Sequence, residues 1–135
     1  YYEDTDCGGI VYYANYLRYF ERSRTEYLES RGIFVKDCLA KGFSFVVAHQ
    51  DIDYKAPAGY GDILNIETRV SKISNASLIF EYAVKNKNTS QLIATGSTVM
   101  VCVNKDIQPI GISREVKEKL SSQTEISKIK LQKSK

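Results

Sequence analysis

The chain holds 135 residues, 43% hydrophobic and 26% charged, the size and balance of one water-soluble domain with its own core. Its three cysteines, Cys7, Cys38 and Cys102, are odd in number and lack CxxC spacing, which excludes a complete disulfide framework and a cysteine zinc site and points to a reducing cytoplasm. The single histidine, His49, excludes centres needing two imidazoles, and the net charge of +3 belongs to the last 22 residues, so a general nucleic-acid surface is not expected and carboxylates are the candidate reactive groups.

No run reaches the roughly 20 apolar residues of a membrane span, and the start is unlike a signal peptide, so no stable membrane insertion is expected. Tyr1-Tyr2 reads as the end of a strand. The acidic segment Glu3 to Asp6, closed by Gly8 and Gly9, then reads as a tight loop. From about Tyr13 the apolar positions Tyr13, Tyr16, Leu17, Phe20, Tyr27 and Leu28 recur at spacings of three and four, with Arg18, Arg22, Glu26 and Glu29 opposite. This predicts a helix of about four turns, with Asn15 a possible cap and Arg31-Gly32 its stop.

A short helical turn is expected within Ile33 to Lys41. Four strands follow. In the first, Val46, Ala48, Ile52 and Tyr54 alternate with His49, Asp51 and Asp53. The second alternates Leu64, Ile66, Thr68 and Val70 with polar residues, and the third does so with Leu78, Phe80, Tyr82 and Val84. The fourth, Leu92 to Val103, is apolar on both alternations, as in a strand covered on both faces. Ser113 to Leu120 reads as a short helix, and 121–135 as a basic, flexible tail beyond a single domain spanning 1–120. A meander of antiparallel strands needs a cover for its apolar face, and the long helix is the available one. The fold class is therefore α+β, with a sheet wrapped around one central helix.

The chemistry-bearing segment is Tyr1-Tyr2-Glu3-Asp4-Thr5-Asp6-Cys7-Gly8-Gly9-Ile10-Val11-Tyr12-Tyr13-Ala14-Asn15-Tyr16-Leu17. It sets a carboxylate in a glycine loop just before a helix start. Unpaired N–H groups at such a start can hold a carbonyl oxygen as it gains negative charge, and a nearby carboxylate can attack the carbonyl carbon or activate water. The same pattern also serves as a plain helix cap.

The segment resembles the hotdog-fold acyl-CoA thioesterases of the 4-hydroxybenzoyl-CoA thioesterase class, in particular the small bacterial enzymes associated with the Tol-Pal cluster. The likeness continues through the helix, the turn Asp53-Tyr54-Lys55-Ala56-Pro57-Ala58 with Asp62, and the strand Val101-Cys102-Val103. It implies a hotdog fold and hydrolysis of a short- to medium-chain or aromatic acyl-CoA to acid and CoA, without metal or redox cofactor. It implies Asp6 as nucleophile or general base and the Tyr13 backbone N–H as the group polarising the thioester carbonyl. Gly8, Gly9, Asn15 and Tyr16 are expected to line the substrate site. Tol-Pal relatives often carry histidine where Tyr13 stands, which changes subgroup and substrate rather than the amide donor. Basic residues that meet the nucleotide in relatives correspond to the Ser74-Asn75 turn, leaving Lys72 and the basic tail as substitutes. The resemblance further implies a homodimer or homotetramer with the acyl channel between subunits.

Other residues have structural readings. Cys7 as a thiol nucleophile lacks a neighbouring histidine. His49 is expected to face outward, Asp4 to shape its loop, and Arg24, near the apolar stripe, to form a partly buried ion pair with a sheet carboxylate. The alternative to hydrolysis is a non-enzymatic module binding acyl-CoA or acyl carrier protein, whose acidic surface would suit the basic tail.

Overall fold

A computed structural model describes residues 13–59, 61–120 and 125–130. The long helix, α1 (Tyr13–Ser30), is followed by α2 (Val35–Ala40), β1 (Ser44–Tyr54), β2 (Ile63–Ile73), β3 (Ser77–Asn86), β4 (Leu92–Val103), α3 (Arg114–Lys119) and β5 (Glu125–Lys130). The five strands form one antiparallel sheet in the order β1-β4-β3-β2-β5. The helix packs on one face, which is the hotdog arrangement expected from the sequence. Tyr1-Tyr2 and the acidic loop lie outside the described residues.

The helix forms and ends for local reasons. Tyr16, Phe20, Ser23, Arg24 and Tyr27 are buried on one stripe, while Arg18, Arg22, Glu26 and Glu29 are exposed on the other. Its end is a Schellman cap: the Ile33 N–H reaches the Leu28 carbonyl at 2.9 Å and the Gly32 N–H the Glu29 carbonyl at 3.0 Å. Gly32 takes φ +77°, a left-handed conformation that costs glycine no Cβ clash. Ser113 caps α3 by accepting the Val116 N–H at 3.2 Å.

The strands β2 and β3 keep the expected alternation, with Leu64, Ile66, Thr68 and Val70 buried beside Leu78, Phe80, Tyr82 and Val84. The inner face of β4 is buried, whereas its outer Thr95, Ser97, Val99 and Val101 stay half-buried, so one chain covers one face only. In β1 the expected alternation is corrected. A bulge at Ala48 separates the pairs Val47↔Met100 and His49↔Val99, and it reverses the phase of the strand. Phe45 and Val47 therefore share a face with buried Cys102 and Met100, and Gln50, Ile52 and Tyr54 continue that face beyond the bulge.

A second correction concerns the C-terminal segment. Within the stretch expected to be flexible, Glu125–Lys130 pairs antiparallel with β2, from Thr68↔Glu125 to Ile63↔Lys130. Without it β2 would present an open row of backbone donors and acceptors, and lysines are common on the edge strands that close such rows. Removing residues 121–135 is expected to lower the melting temperature by several degrees and speed amide exchange along β2. Unchanged exchange there would contradict the role given to β5.

Cys38 and Cys102 are free and buried. Burial pushes both thiols above their ordinary range, with Asp37 adding to the effect on Cys38 and Cys38 adding to that on Cys102. In a Cys7→Ser variant at pH 8, both are expected to react slowly with an alkylating reagent until the chain is unfolded. Rapid labelling of either in the native state would contradict this packing.

Candidate active site

Helix α1 begins at Tyr13, directly after the segment carrying the acidic and glycine residues. Asp6, Cys7, Gly8 and Gly9 lie outside the described residues. A helix start leaves backbone N–H groups without intrahelical partners and carries the positive end of the peptide dipoles, so it favours an oxygen that is becoming anionic. Asn15 is the third residue of the helix and so is not its cap. It is 5% exposed, and its Oδ1 has no hydrogen-bond partner among the described residues. A buried acceptor left in this way is costly unless something donates to it.

Tyr16, 1% exposed, follows on the inner face. Its ring stands edge-on to Tyr54 at 5.7 Å and to Tyr19 at 5.9 Å between centroids. Burial first, then Tyr54, Tyr19 and Asp62, push its hydroxyl far above the ordinary tyrosine range, so it stays protonated in any physiological buffer. Tyr54 and Asp62 bracket the β1–β2 turn, where Asp62 Oδ2 accepts the Gly59 N–H at 2.9 Å. The turn noted in the sequence is thus folded beside the first turns of α1. Tyr54 meets Tyr16 there, a contact that its place in the turn motif Asp53-Tyr54-Lys55-Ala56-Pro57-Ala58 does not by itself reveal.

One turn further along, Phe20 lies flat on Tyr82, with ring centroids 4.2 Å apart and planes at 4°. The Tyr82 hydroxyl donates to Thr98 Oγ1 at 2.9 Å, and the Thr98 hydroxyl faces Gln50 Oε1 at 2.9 Å. Arg24 Nη1 reaches Gln50 Oε1 at 3.4 Å and the Tyr82 hydroxyl at 3.5 Å. The expected ion pair between Arg24 and a sheet carboxylate is therefore corrected, since its partners are neutral. Two long hydrogen bonds are all that the described residues offer it.

The outer face of the sheet holds a cleft of about 410 Å³ over Glu81, Ala83, Thr95 and Ser97. Its charges are engaged. Arg69 pairs with Glu81, Lys85 with Glu67 at 3.2 Å, and the Ser97 hydroxyl donates to Asp51 at 2.8 Å. His49 is exposed on the edge strand, 3.5 Å from Asp51, away from the helix start. Lys72 is exposed at the end of β2, and the Asn75 carbonyl accepts the Ile112 N–H at 2.7 Å. Carboxylates that are already paired on a solvated surface are poorly placed for acid–base chemistry, which leaves the start of α1 as the candidate site.

Comparison with known proteins bears on the same region. The model of the thioesterase-like superfamily matches residues 2–120, a span that includes both Asp6 and Tyr13. The chain is 39% identical over 118 residues to the acyl-CoA thioesterase YbgC of Haemophilus influenzae, covering 87% of this chain and 86% of that one. It is 36% identical over 104 residues to the acyl-CoA thioester hydrolase YbgC of Escherichia coli O157:H7, covering 77% of each. Among solved structures, the DHNA-CoA thioesterase from Staphylococcus aureus superposes with a TM-score of 0.77 at 28% identity, over 86% of this chain and 82% of that one.

Proposed function

The chain belongs to the thioesterase-like superfamily, and we propose that it hydrolyses the thioester of a short- to medium-chain or aromatic acyl-CoA, releasing a free acid and CoA. The observation that carries this reading is the start of α1 at Tyr13, seven residues after Asp6, in a chain whose relatives at 36–39% identity are named as acyl-CoA thioesterases or thioester hydrolases.

In this reading the Tyr13 N–H and the helix dipole stabilise the carbonyl oxygen as it becomes negative. Asp6 either attacks the carbonyl carbon or takes a proton from the attacking water. A C–O bond forms to Asp6 or to water as the C–S bond breaks, CoA leaves as the thiolate and gains a proton, and on the first route water then opens the acyl-Asp6 anhydride to give the free acid and restore the carboxylate. Gly8 and Gly9 let the loop approach the substrate, Asn15 Oδ1 offers an acceptor, and Tyr16 gives an uncharged apolar wall. The proposed assembly is a homodimer, doubled in a homotetramer, with the acyl channel between subunits. The half-exposed apolar residues Val47 and Tyr54 on edge strand β1 support such a covering. Among the described residues no helix is long and apolar enough to cross a membrane, and we place the protein in the cytoplasm.

A panel of acyl-CoA esters graded in chain length, with benzoyl- and hydroxybenzoyl-CoA, tests the substrate class. The expected result is a maximum in kcat/KM among the medium-chain or aromatic members. Preference for long-chain esters would overturn that assignment.

A further inference from the structure

On α1 and on β2 beside it, Asn15 Oδ1, Ser23 Oγ and Thr68 Oγ1 are buried without a hydrogen-bond partner among the described residues. The three are not equivalent. A hydroxyl both donates and accepts and turns about its C–O bond, so Ser23 and Thr68 can meet whichever polar group approaches. An amide oxygen only accepts. Asn15 Oδ1 therefore requires a donor from elsewhere, and at 5% exposure that donor has to reach it inside the fold. The nitrogen of the same amide is not among the buried atoms lacking a partner, so the buried end of the side chain is the oxygen.

Asn15 stands two residues after Tyr13, about 3 Å along the helix axis at 1.5 Å per residue, within the first turn. The groups gathered there supply walls and acceptors. Tyr16 packs its ring against Tyr54 and Tyr19, and Asp62 already accepts the Gly59 N–H. The reactants narrow the choice of donor further. A thioester group carries a carbonyl oxygen and a sulfur, which accept, and an ionised carboxylate such as Asp6 also only accepts. Water is the reactant that brings O–H groups to this place.

We propose that Asn15 Oδ1 holds the hydrolytic water, accepting one of its hydrogens while Asp6 accepts the other. The assignment rests on the thioesterase reading and takes the general-base role for Asp6. With both hydrogens held, the water turns a lone pair toward the carbonyl carbon that the Tyr13 N–H activates. As the water oxygen bonds to that carbon, the hydrogen facing Asp6 passes to its carboxylate as a proton. The C–S bond then breaks and the same proton moves to the CoA thiolate, which restores Asp6. The hydrogen held by Asn15 stays on the free acid until the acid ionises in solution.

The test gives the full chain the acyl-CoA ester that it cleaves fastest, in buffer containing methanol as a second nucleophile. Methanol has a single O–H and cannot serve Asn15 and Asp6 together, so the parent chain is expected to favour acid over methyl ester. Asn15→Leu, similar in size but without an acceptor, is expected to lower kcat by about 10²-fold with little change in KM. It is also expected to raise the ratio of methyl ester to acid several-fold. Asn15→Ala, which fits the same space, guards against a leucine variant that fails to fold and is expected to show the same shift in ratio. Asn15→Asp keeps an acceptor and is expected to keep the parent's ratio. A slower Asn15→Leu or Asn15→Ala with the parent's ratio would give Asn15 a structural role and overturn the proposal. So would a raised ratio in Asn15→Asp. The S-ethyl thioester of the same acid lacks the pantetheine amide N–H, and disappearance of the Asn15→Leu loss with that ester would make this N–H the donor in place of water. Absence of hydrolysis by the parent chain would overturn the thioesterase reading together with the proposal, whereas an active parent with unchanged ratios in the leucine and alanine variants would overturn the proposal alone.

Discussion

Asp6→Asn is expected to lower kcat by about 10²–10⁴-fold while KM and melting temperature stay close to those of the parent chain. The amide keeps the size and hydrogen-bonding reach of the carboxylate. It loses the basicity needed to take a proton from water and the negative oxygen needed to attack the carbonyl. The Tyr13 N–H would remain to polarise the bound thioester, so a residual rate above the uncatalysed one is expected. The check is CoA release followed with a thiol reagent, beside thermal unfolding of both proteins. Retention of most of the activity in a folded Asp6→Asn would remove Asp6 from the mechanism.

The largest expected effect on stability is at Gly96. It sits on β4 between Ile52 of β1 and Tyr82 of β3, directly under Phe20 of the helix. A Cβ there would lie 2.6 Å from Phe20 Cε2, 3.0 Å from Cζ and 2.8 Å from the Asp51 carbonyl oxygen. Neither neighbour yields easily. The Phe20 ring is fully buried and stacked on Tyr82, and the Asp51 carbonyl belongs to a paired strand. Gly96→Ala is thus an overpacking change, with an expected loss of about 1–3 kcal/mol. For a domain of this size that is roughly 4–12 °C in melting temperature. Phe20→Leu combined with Gly96→Ala is expected to cost less than the sum of the two single changes, because the smaller side chain vacates the clash. Unchanged stability of Gly96→Ala, by urea or thermal unfolding, would mean that the helix does not press on the sheet at this point.

The parts of the fold that were legible in the sequence are those fixed by local pattern. The period of α1 and its Gly32 stop, the alternation of β2 and β3, and the Ser113 cap each follow from a few neighbouring residues. Strand β1 misled because Val46 and Ala48 alternate with the wrong partners. One bulge reverses a two-residue period, and nothing in its composition marks the place. Strand β5 was hidden by its lysines, which resemble a solvated tail yet are compatible with an edge strand. At the site, the helix start beside an acidic glycine loop could be read directly, and the roles of Asp6 and Tyr13 came from resemblance to a family. Arg24 could be singled out by its position on the apolar stripe. Its neutral partners could not, because Gln50 and Tyr82 meet it only after three elements pack together.

The most direct test of the central claim is an incubation of the full chain with one medium-chain and one aromatic acyl-CoA, measuring free acid and CoA thiol together with bound ligand. The account predicts repeated turnovers that release acid and CoA in equal amounts. Saturable binding with no thiol released would contradict it and identify a protein that holds acyl-CoA without cleaving it.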